Sequence, residues 1–236
     1  MMGGRLVLKS MLFKFLCFCV LIIGLFFLFS KQIQNIIVKS NTQKFSIINY
    51  TFNDIDENKR RSEQVTFDFD AVEPISTEAV LKAQLDKNER DYPVIAGILI
   101  PSVDLNLPVF MGLANEHLLW GAGTLSETQE MGSGNYALAS HLSYDPDALF
   151  SPLSRTSPGE KIYLNDLNNV YEYTIYLKEW VSPDATHVLD EVPGETIVTL
   201  ITCGDYDATN RLIIQGSLTA VTPIDEISND LAAAFY

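Results

Sequence analysis

Cysteine and histidine are scarce in this chain, with three of each among 236 residues. Cys17 and Cys19 fall inside a long apolar run, where small hydrophobes are ordinary, and neither has the setting of a lipid-modified cysteine. Cys203 is then left with no disulfide partner in the remainder of the chain, so it reads as either inert packing or a reactive thiol. Basic residues are also in deficit: 16 Lys and Arg stand against 30 Asp and Glu, a formal net charge of −14. That balance argues against nucleic acid as a partner, because phosphate contacts need clustered cations. There is no internal repeat. A second long apolar run is missing too, since the C-terminal "DLAAAFY" is too short to span a membrane.

One long apolar run is present. "FLCFCVLIIGLFFLF", Phe15 to Phe29, extends back to Met11 if Lys14 snorkels. As a helix, residues 11–29 would reach about 28 Å, close to the roughly 30 Å of bilayer hydrocarbon. Arg5, Lys9 and Lys14 precede the run and favour a cytoplasmic N-terminus, although Lys31, Lys39 and Lys44 follow it. The segment after it, "SKQIQNIIVKS", has no small-x-small cleavage site, which favours an uncleaved anchor over a signal peptide. The expected organisation is a cytoplasmic tip and transmembrane anchor over 1–30, a stalk over 31–75 and a catalytic domain over 76–236. The bulk of the chain would then lie outside the cell membrane. The stalk assignment rests on mixed charge, "DENKRR" at 56–61, and an absence of sustained periodicity.

A helix start follows at Ser76, with Glu78 in its first turn and Ile75 placed to pack on Val80; it is expected to run to about Arg90, ahead of Tyr92-Pro93. From Val94 the pattern is β. "VIAGILIP", "LNLPVF", "NYALASH", "TIVTLIT" and "RLIIQGSL" are short apolar runs, and residues 160–181 read as a hairpin turning at Asp166 to Asn169. Seven or eight short strands with little helix predict an all-β domain, a closed or nearly closed barrel.

Cys203 ends one such strand, Arg211 opens the next, and His141 terminates a third. An unperturbed thiol, of pKa about 8.5, is only a few per cent thiolate at neutral pH. An imidazole can take its proton, and a guanidinium can hold a developing oxyanion. His117 and His187 read as packing or surface residues. Spacing alone does not bring the three groups together.

The ordered motifs do more. "TLITC" (199–203), "RLIIQG", "NYALASH" (135–141), "LFSPL" (149–153) and "KIYL" (161–164), with "NLPVFMGL" and "WGAGT" upstream, make residues 92–218 resemble a sortase, of the class A housekeeping, streptococcal type. The resemblance implies an eight-stranded sortase barrel behind an N-terminal transmembrane helix. It also implies a cysteine transpeptidase that cleaves LPxTG sorting signals between Thr and Gly. Partners would be LPxTG-bearing secreted proteins and the amine of a cell-wall precursor, lipid II. Cys203 would be the nucleophile, His141 the acid and base, and Arg211 the oxyanion and substrate clamp. Ser140 and Thr202 would be their nearest helpers; Ala139, Val198, Leu200 and Ile213 are candidate walls of the substrate pocket.

Two features depart from the family pattern: a short loop "LSYDPDA" after His141, and Gly204 directly after the cysteine. No cofactor is expected. Calcium modulation is considered for Asp184, Asp190, Glu191 and Glu195, whose spacing is not diagnostic. The alternatives are a pilin-polymerising class C sortase and an inactive anchored β-domain serving as adhesin or scaffold. The first would carry an inhibitory lid before the barrel and a second C-terminal span, and the sequence displays neither. The joint presence of Cys203, His141 and Arg211 speaks against the second.

Overall fold

Short β-branched runs punctuated by Pro, Gly and Asn close into a barrel in the computed structural model of this chain. It describes residues 3–60, 65–85, 92–203 and 209–235, the side chains of 3–10, 26, 27, 70 and 203 excepted. The strands are β1 (Val94–Ile100), β2 (Leu105–Phe110), β3 (Ala122–Thr124), β4 (Asn135–Ala139), β5 (Lys161–Asn165), β6 (Asn169–Val181), β7 (Ile197–Cys203) and β8 (Arg211–Pro223). Around the barrel they run β1-β2-β3-β4-β7-β8-β6-β5 and back to β1. The β2–β3 and β4–β7 pairs are parallel. The β7–β8 and β6–β8 pairs are antiparallel. Strand β3 has only three residues, too few for alternation to reveal in the sequence.

Side chains alternate in and out along each strand. Tyr136 and Leu138 of β4, Val198 and Leu200 of β7, and Leu212 and Ile214 of β8 fill the barrel interior. The β5–β6 turn closes as its sequence implies. The Asp166 carboxylate accepts from the backbone N–H of Asn168 and Asn169, at 3.0 and 2.8 Å. Leu167 between them adopts a left-handed φ of 67°.

Five helices lie outside the barrel among the described residues: α1 (Gly3–Lys44), α2 (Phe52–Lys59), α3 (Thr77–Leu85), α4 (Asn115–Leu118) and α5 (Asn229–Ala234). The first half of α1 exposes Met11, Phe13, Phe15, Phe18, Leu21 and Phe29, with no apolar partner. Among the described residues no single straight helix is long and apolar enough to cross a membrane. Met11–Leu25 and Leu28–Lys44, which meet at 51°, together satisfy length and composition.

Residues 31–60, read from the sequence as unpatterned stalk, are largely helical and pack on the barrel. Val38, Phe45, Ile47 and Ile55 share a second core with Val80, Trp120 and Phe235. The contact face is Gln34, Val38 and Asn41 of α1 with Phe45 just past its end, spaced at 4, 3 and 4 residues. Two of the four are amides, so no apolar period shows. Those amides are fixed: Thr77 Oγ1 donates to Gln34 Oε1 (2.9 Å) and Asn41 Nδ2 donates to Gln84 Oε1 (2.6 Å). The hydroxyl of Thr42 donates to the Trp120 carbonyl at 2.8 Å. Helix α3 begins as expected, its Ala79 N–H donating to the Ser76 hydroxyl at 3.0 Å. It is described to Leu85, and the expected continuation to Arg90 lies outside the described residues.

Candidate active site

Strand register sets Cys203 opposite Arg211 in the β7–β8 ladder, and Ile201 opposite Ile213. In the parallel β4–β7 ladder Ala139 lies beside Ile201, and the Ser140 N–H extends the pairing by donating to the Ile201 carbonyl at 3.2 Å. Because successive residues alternate faces, Ile201, Arg211, Ile213 and Ala139 share the outer face, and His141 lies two residues past the end of β4. The Cys203 side chain itself lies outside the described part of the structure, as does Gly204.

His141 is buried to 6% exposure. Its Nε2 has no hydrogen-bond partner among the described residues. Burial pushes its pKa down to about 4, so the ring is neutral in this state. The loop behind it is tied back: the Phe150 N–H donates to the His141 carbonyl, and Leu142 pairs with Leu149. The guanidinium of Arg211 donates to the Asn210 carbonyl at 3.2 Å. Its carbon lies 5.9 Å from the centre of the Phe69 ring, within cation–π range.

An apolar groove of about 300 Å³ adjoins Arg211, walled by Leu125, Val181, Val188, Ile201 and Ile213. Its wall is held by a buried polar network. Thr199 Oγ1 donates to Asn135 Oδ1 (2.7 Å), and the amides of Asn135 and Gln215 both donate to the Val188 carbonyl, at 3.0 and 3.1 Å.

Of the candidate pocket walls, Ile213 faces this groove. Ala139 lies on the same outer face, packed with Leu113 and Leu118. Val198 and Leu200 do not line it. They are one residue out of phase with Cys203 and belong to the barrel interior. Ser140 and Thr202 also have the interior parity: the Ser140 hydroxyl donates to the Gly121 carbonyl at 2.7 Å, and both side chains are buried. Sequence reasoning missed Ile201, and the signal was there, two residues before Cys203 on an alternating strand. It also missed Leu125, Val181 and Val188, which loops bring in and no local pattern marks.

A segment ahead of the barrel crosses the same groove. Phe67, Asp68 and Phe69 line it, and Phe69 packs on Val188, Ile201 and Ile213. Two clamps hold the strap. The Leu113 N–H donates to the Thr66 carbonyl at 2.7 Å. Asn115 accepts from the Glu73 N–H and donates to the Ala71 carbonyl, at 2.8 and 3.3 Å. Gly112, at φ 77°, permits the close approach, since a Cβ there would fall 2.6 Å from the Thr66 carbonyl oxygen. No local pattern marks a covering segment, because "VTFDFDAVE" resembles solvent-exposed linker.

His141 lines a separate, larger cleft of about 710 Å³ between α3 and α4. Among the described residues no three His, Cys, Asp or Glu side chains are gathered as metal ligands, and Asp184, Asp190, Glu191 and Glu195 form no such set.

Comparison with known proteins agrees with the geometry. A family model described as a sortase domain matches residues 98–219. Sortase A of Streptococcus agalactiae is 39% identical over 220 residues, covering 91% of this chain and 87% of that protein. Sortase A of Listeria monocytogenes is 40% identical over 211 residues, 88% of this chain and 92% of its own. The crystal structure of Listeria monocytogenes sortase A aligns with a TM-score of 0.56 at 37% identity, over 60% of this chain and 96% of that one. Sortase C-3 of Streptococcus pneumoniae aligns at 0.60 over 84% of this chain and 98% of that one. At 20% identity it speaks to the fold alone.

Proposed function

Because this chain belongs to the sortase family, we propose that it works as a class A housekeeping transpeptidase with Cys203, His141 and Arg211 as its reacting groups. The observation that supports this best is the register: Cys203 lies opposite Arg211 across one ladder, and His141 follows by two residues the strand that pairs with β7 on its other side. The donor is an LPxTG sorting signal lying along the Ile201–Ile213 groove. The Cys203 thiol gives its proton to His141, and the sulfur attacks the Thr carbonyl carbon. Arg211 holds the oxyanion while the C–N bond to Gly breaks. The imidazolium proton passes to the departing amine, leaving a neutral thioester. An incoming cell-wall precursor amine then attacks that carbonyl, yields a proton to His141 and expels the thiolate. Thiolate and imidazolium are left to return to the starting pair.

The neutral, desolvated His141 suits the first step, since it can accept a proton once the thiolate forms beside it and compensates the new charge. The bent apolar helix supports single-pass anchorage with the barrel outside the cell, its exposed face being Met11 to Phe29. The strap over the groove is a feature the class C alternative would carry, but the two sortase A relatives match across most of the chain, and the class A reading stands.

The test uses the full chain in detergent micelles with an LPxTG peptide and triglycine, followed by intact mass. Cleavage between Thr and Gly with transfer to triglycine, absent in Cys203→Ala, is the expected result. A folded protein that forms no thioester and cleaves nothing would overturn the reading.

A further inference from the structure

The motif "LFSPL", residues 149–153, supplies none of the proposed reacting groups, yet all five of its residues are buried. Phe150 and Leu153 are set in the barrel core, and Leu149 shares the second core with Trp120. Ser151 is the exception, a hydroxyl where an apolar group would pack, and a buried hydroxyl costs free energy unless it is bonded. Both of its bonds go to Ser143, itself buried. The Ser143 N–H donates to Ser151 Oγ at 2.7 Å, and that Oγ donates to the Ser143 carbonyl at 3.1 Å. Facing residues of an antiparallel ladder exchange an N–H and a C=O in this way. The Ser151 main-chain N–H is not free to do so, because it donates to the Ala148 carbonyl at 3.1 Å, where the 3-10 segment Ser151–Arg155 begins. The side chain therefore carries one step further the pairing that starts with Phe150 N–H on the His141 carbonyl and the Leu142–Leu149 bridge.

We infer that Ser151 is a positioning residue for His141, its hydroxyl closing the return of the 142–150 loop so that the imidazole is held in one place. The inference rests on the transpeptidase reading of His141. On the near side of the histidine, Ser140 is pinned twice: its N–H donates to the Ile201 carbonyl at 3.2 Å and its hydroxyl to the Gly121 carbonyl at 2.7 Å. On the far side the chain would leave the sheet at Leu142, and Ser151 keeps it there through Ser143. Leu149, where the loop comes back, has a φ of 52°, which a bulky L-residue adopts only where its surroundings impose it. The loop tip has its own tie, as the Arg155 guanidinium donates to the Pro146 carbonyl at 2.7 Å and to the Asp147 carboxylate at 2.9 Å. That pair is solvent-exposed and correspondingly weak, so the buried serine pair is the firmer hold. Proton transfer needs the imidazole within about 3 Å of its partner, and a loop that gives way moves it out of reach. Ser151 is not among the residues walling the Arg211 groove, so the effect belongs to turnover and not to peptide binding.

The test compares full-length wild type, Ser151→Ala and Thr156→Ala in micelles at pH 7 with an LPxTG peptide. Thr156 is the control, a buried hydroxyl that donates to the Leu153 carbonyl at 2.9 Å, a bond that leaves the His141 loop untouched. Ser151→Ala is expected to lower kcat for cleavage about tenfold or more, as misplacement of a reacting group does, with KM within about twofold. Thr156→Ala keeps kcat within about twofold while lowering the urea midpoint, as the loss of any buried bonded hydroxyl does. A second readout needs no peptide: the His141 ring proton followed by NMR in histidine-labelled protein and assigned with His141→Gln. From pH 7 to about 5 the wild-type ring stays mostly neutral through burial, whereas in Ser151→Ala water reaches it and its pKa moves up toward 6.5. The charged groups around it are Glu73, Glu78, Lys82 and Glu116 of the cleft it lines, Asp145 and Asp147 of its own loop, and Arg211; all are the same in both proteins, so the shift reports the loop. A Ser151→Ala kcat within twofold of wild type overturns the inference, as does an equal loss in Thr156→Ala. Wild type that cleaves no LPxTG peptide sinks the parent reading instead, and the His141 titration then decides the positioning role by itself.

Discussion

Two buried imidazoles tie this protein's stability to pH. Burial pushes the pKa of both His117 and His141 from 6.5 down to about 4. Between those values the unfolded chain binds protons that the folded chain refuses, so unfolding gains from acid. Stability is full above about pH 6.5 and falls as pH drops toward 4, by on the order of 3 kcal/mol per histidine. His117 stacks on the ring of Phe110, 5.3 Å between centroids. His117→Phe keeps the ring and removes the titration. Its urea midpoint at pH 4.5 should therefore lie closer to its pH 7 value than in wild type, and equal pH slopes for the two proteins would refute this. At Arg211, Lys keeps the charge but loses the planar fork. Arg211→Lys should cut kcat for peptide cleavage by about 10²-fold or more, and an unchanged kcat would remove Arg211 from the oxyanion role. The proposed reacting residues are legible in the chain because Cys203 ends a strand, Arg211 begins one and His141 follows one by two residues, each inside an ordered motif. What was misread is parity. Val198 and Leu200 look like groove walls by nearness to Cys203, but an even offset from the cysteine is needed to share its face. Ile201 has that offset.

At the level of elements, the strap over 65–73 lies where a peptide would. Phe69 packs on Ile201 and Ile213, the same side chains that wall the groove. Substrate must displace that ring or thread beside it. Phe69→Ala is expected to lower the KM for an LPxTG peptide by about threefold to tenfold, for roughly 1 kcal/mol of ring burial no longer competing. Initial rates over a peptide series read this directly. A KM that rises instead would make Phe69 part of the wall that holds the peptide. The elements differ in how far local sequence specified them. The β5–β6 hairpin is written in its turn, where Asp166 caps two backbone N–H groups. The N-terminus of α3 is written in Ser76. The course of α1 beyond residue 30 and the path of the strap depend on partners distant in the chain: Trp120 for Thr42, Gln84 for Asn41, and Asn115 for Ala71 and Glu73. Polar side chains that find buried partners only after folding leave no hydrophobic period to read.

For the molecule as a whole, the later part of α1 brackets the barrel, while the part before the 51° bend exposes an apolar face. The exposed run ends at Phe29, and within five residues Gln34 is already buried against α3. One contact sets this bracket. Ile47, just past α1, lies over Gly97 of β1, where an added Cβ would come within 2.8 Å of its Cγ2 atom. Gly97 has no positive-φ requirement, so its role is the space it leaves. Gly97→Ala should push Ile47 outward at a cost of about 1–3 kcal/mol, and Ile47→Ala alone should cost about 2–5 kcal/mol by opening a cavity. Together they should cost clearly less than the sum, since the alanine methyl fills part of the space the isoleucine vacates. Chemical denaturation of the four proteins in the same micelles measures the coupling. Additive costs would mean that Ile47 and Gly97 do not share the space assigned to them.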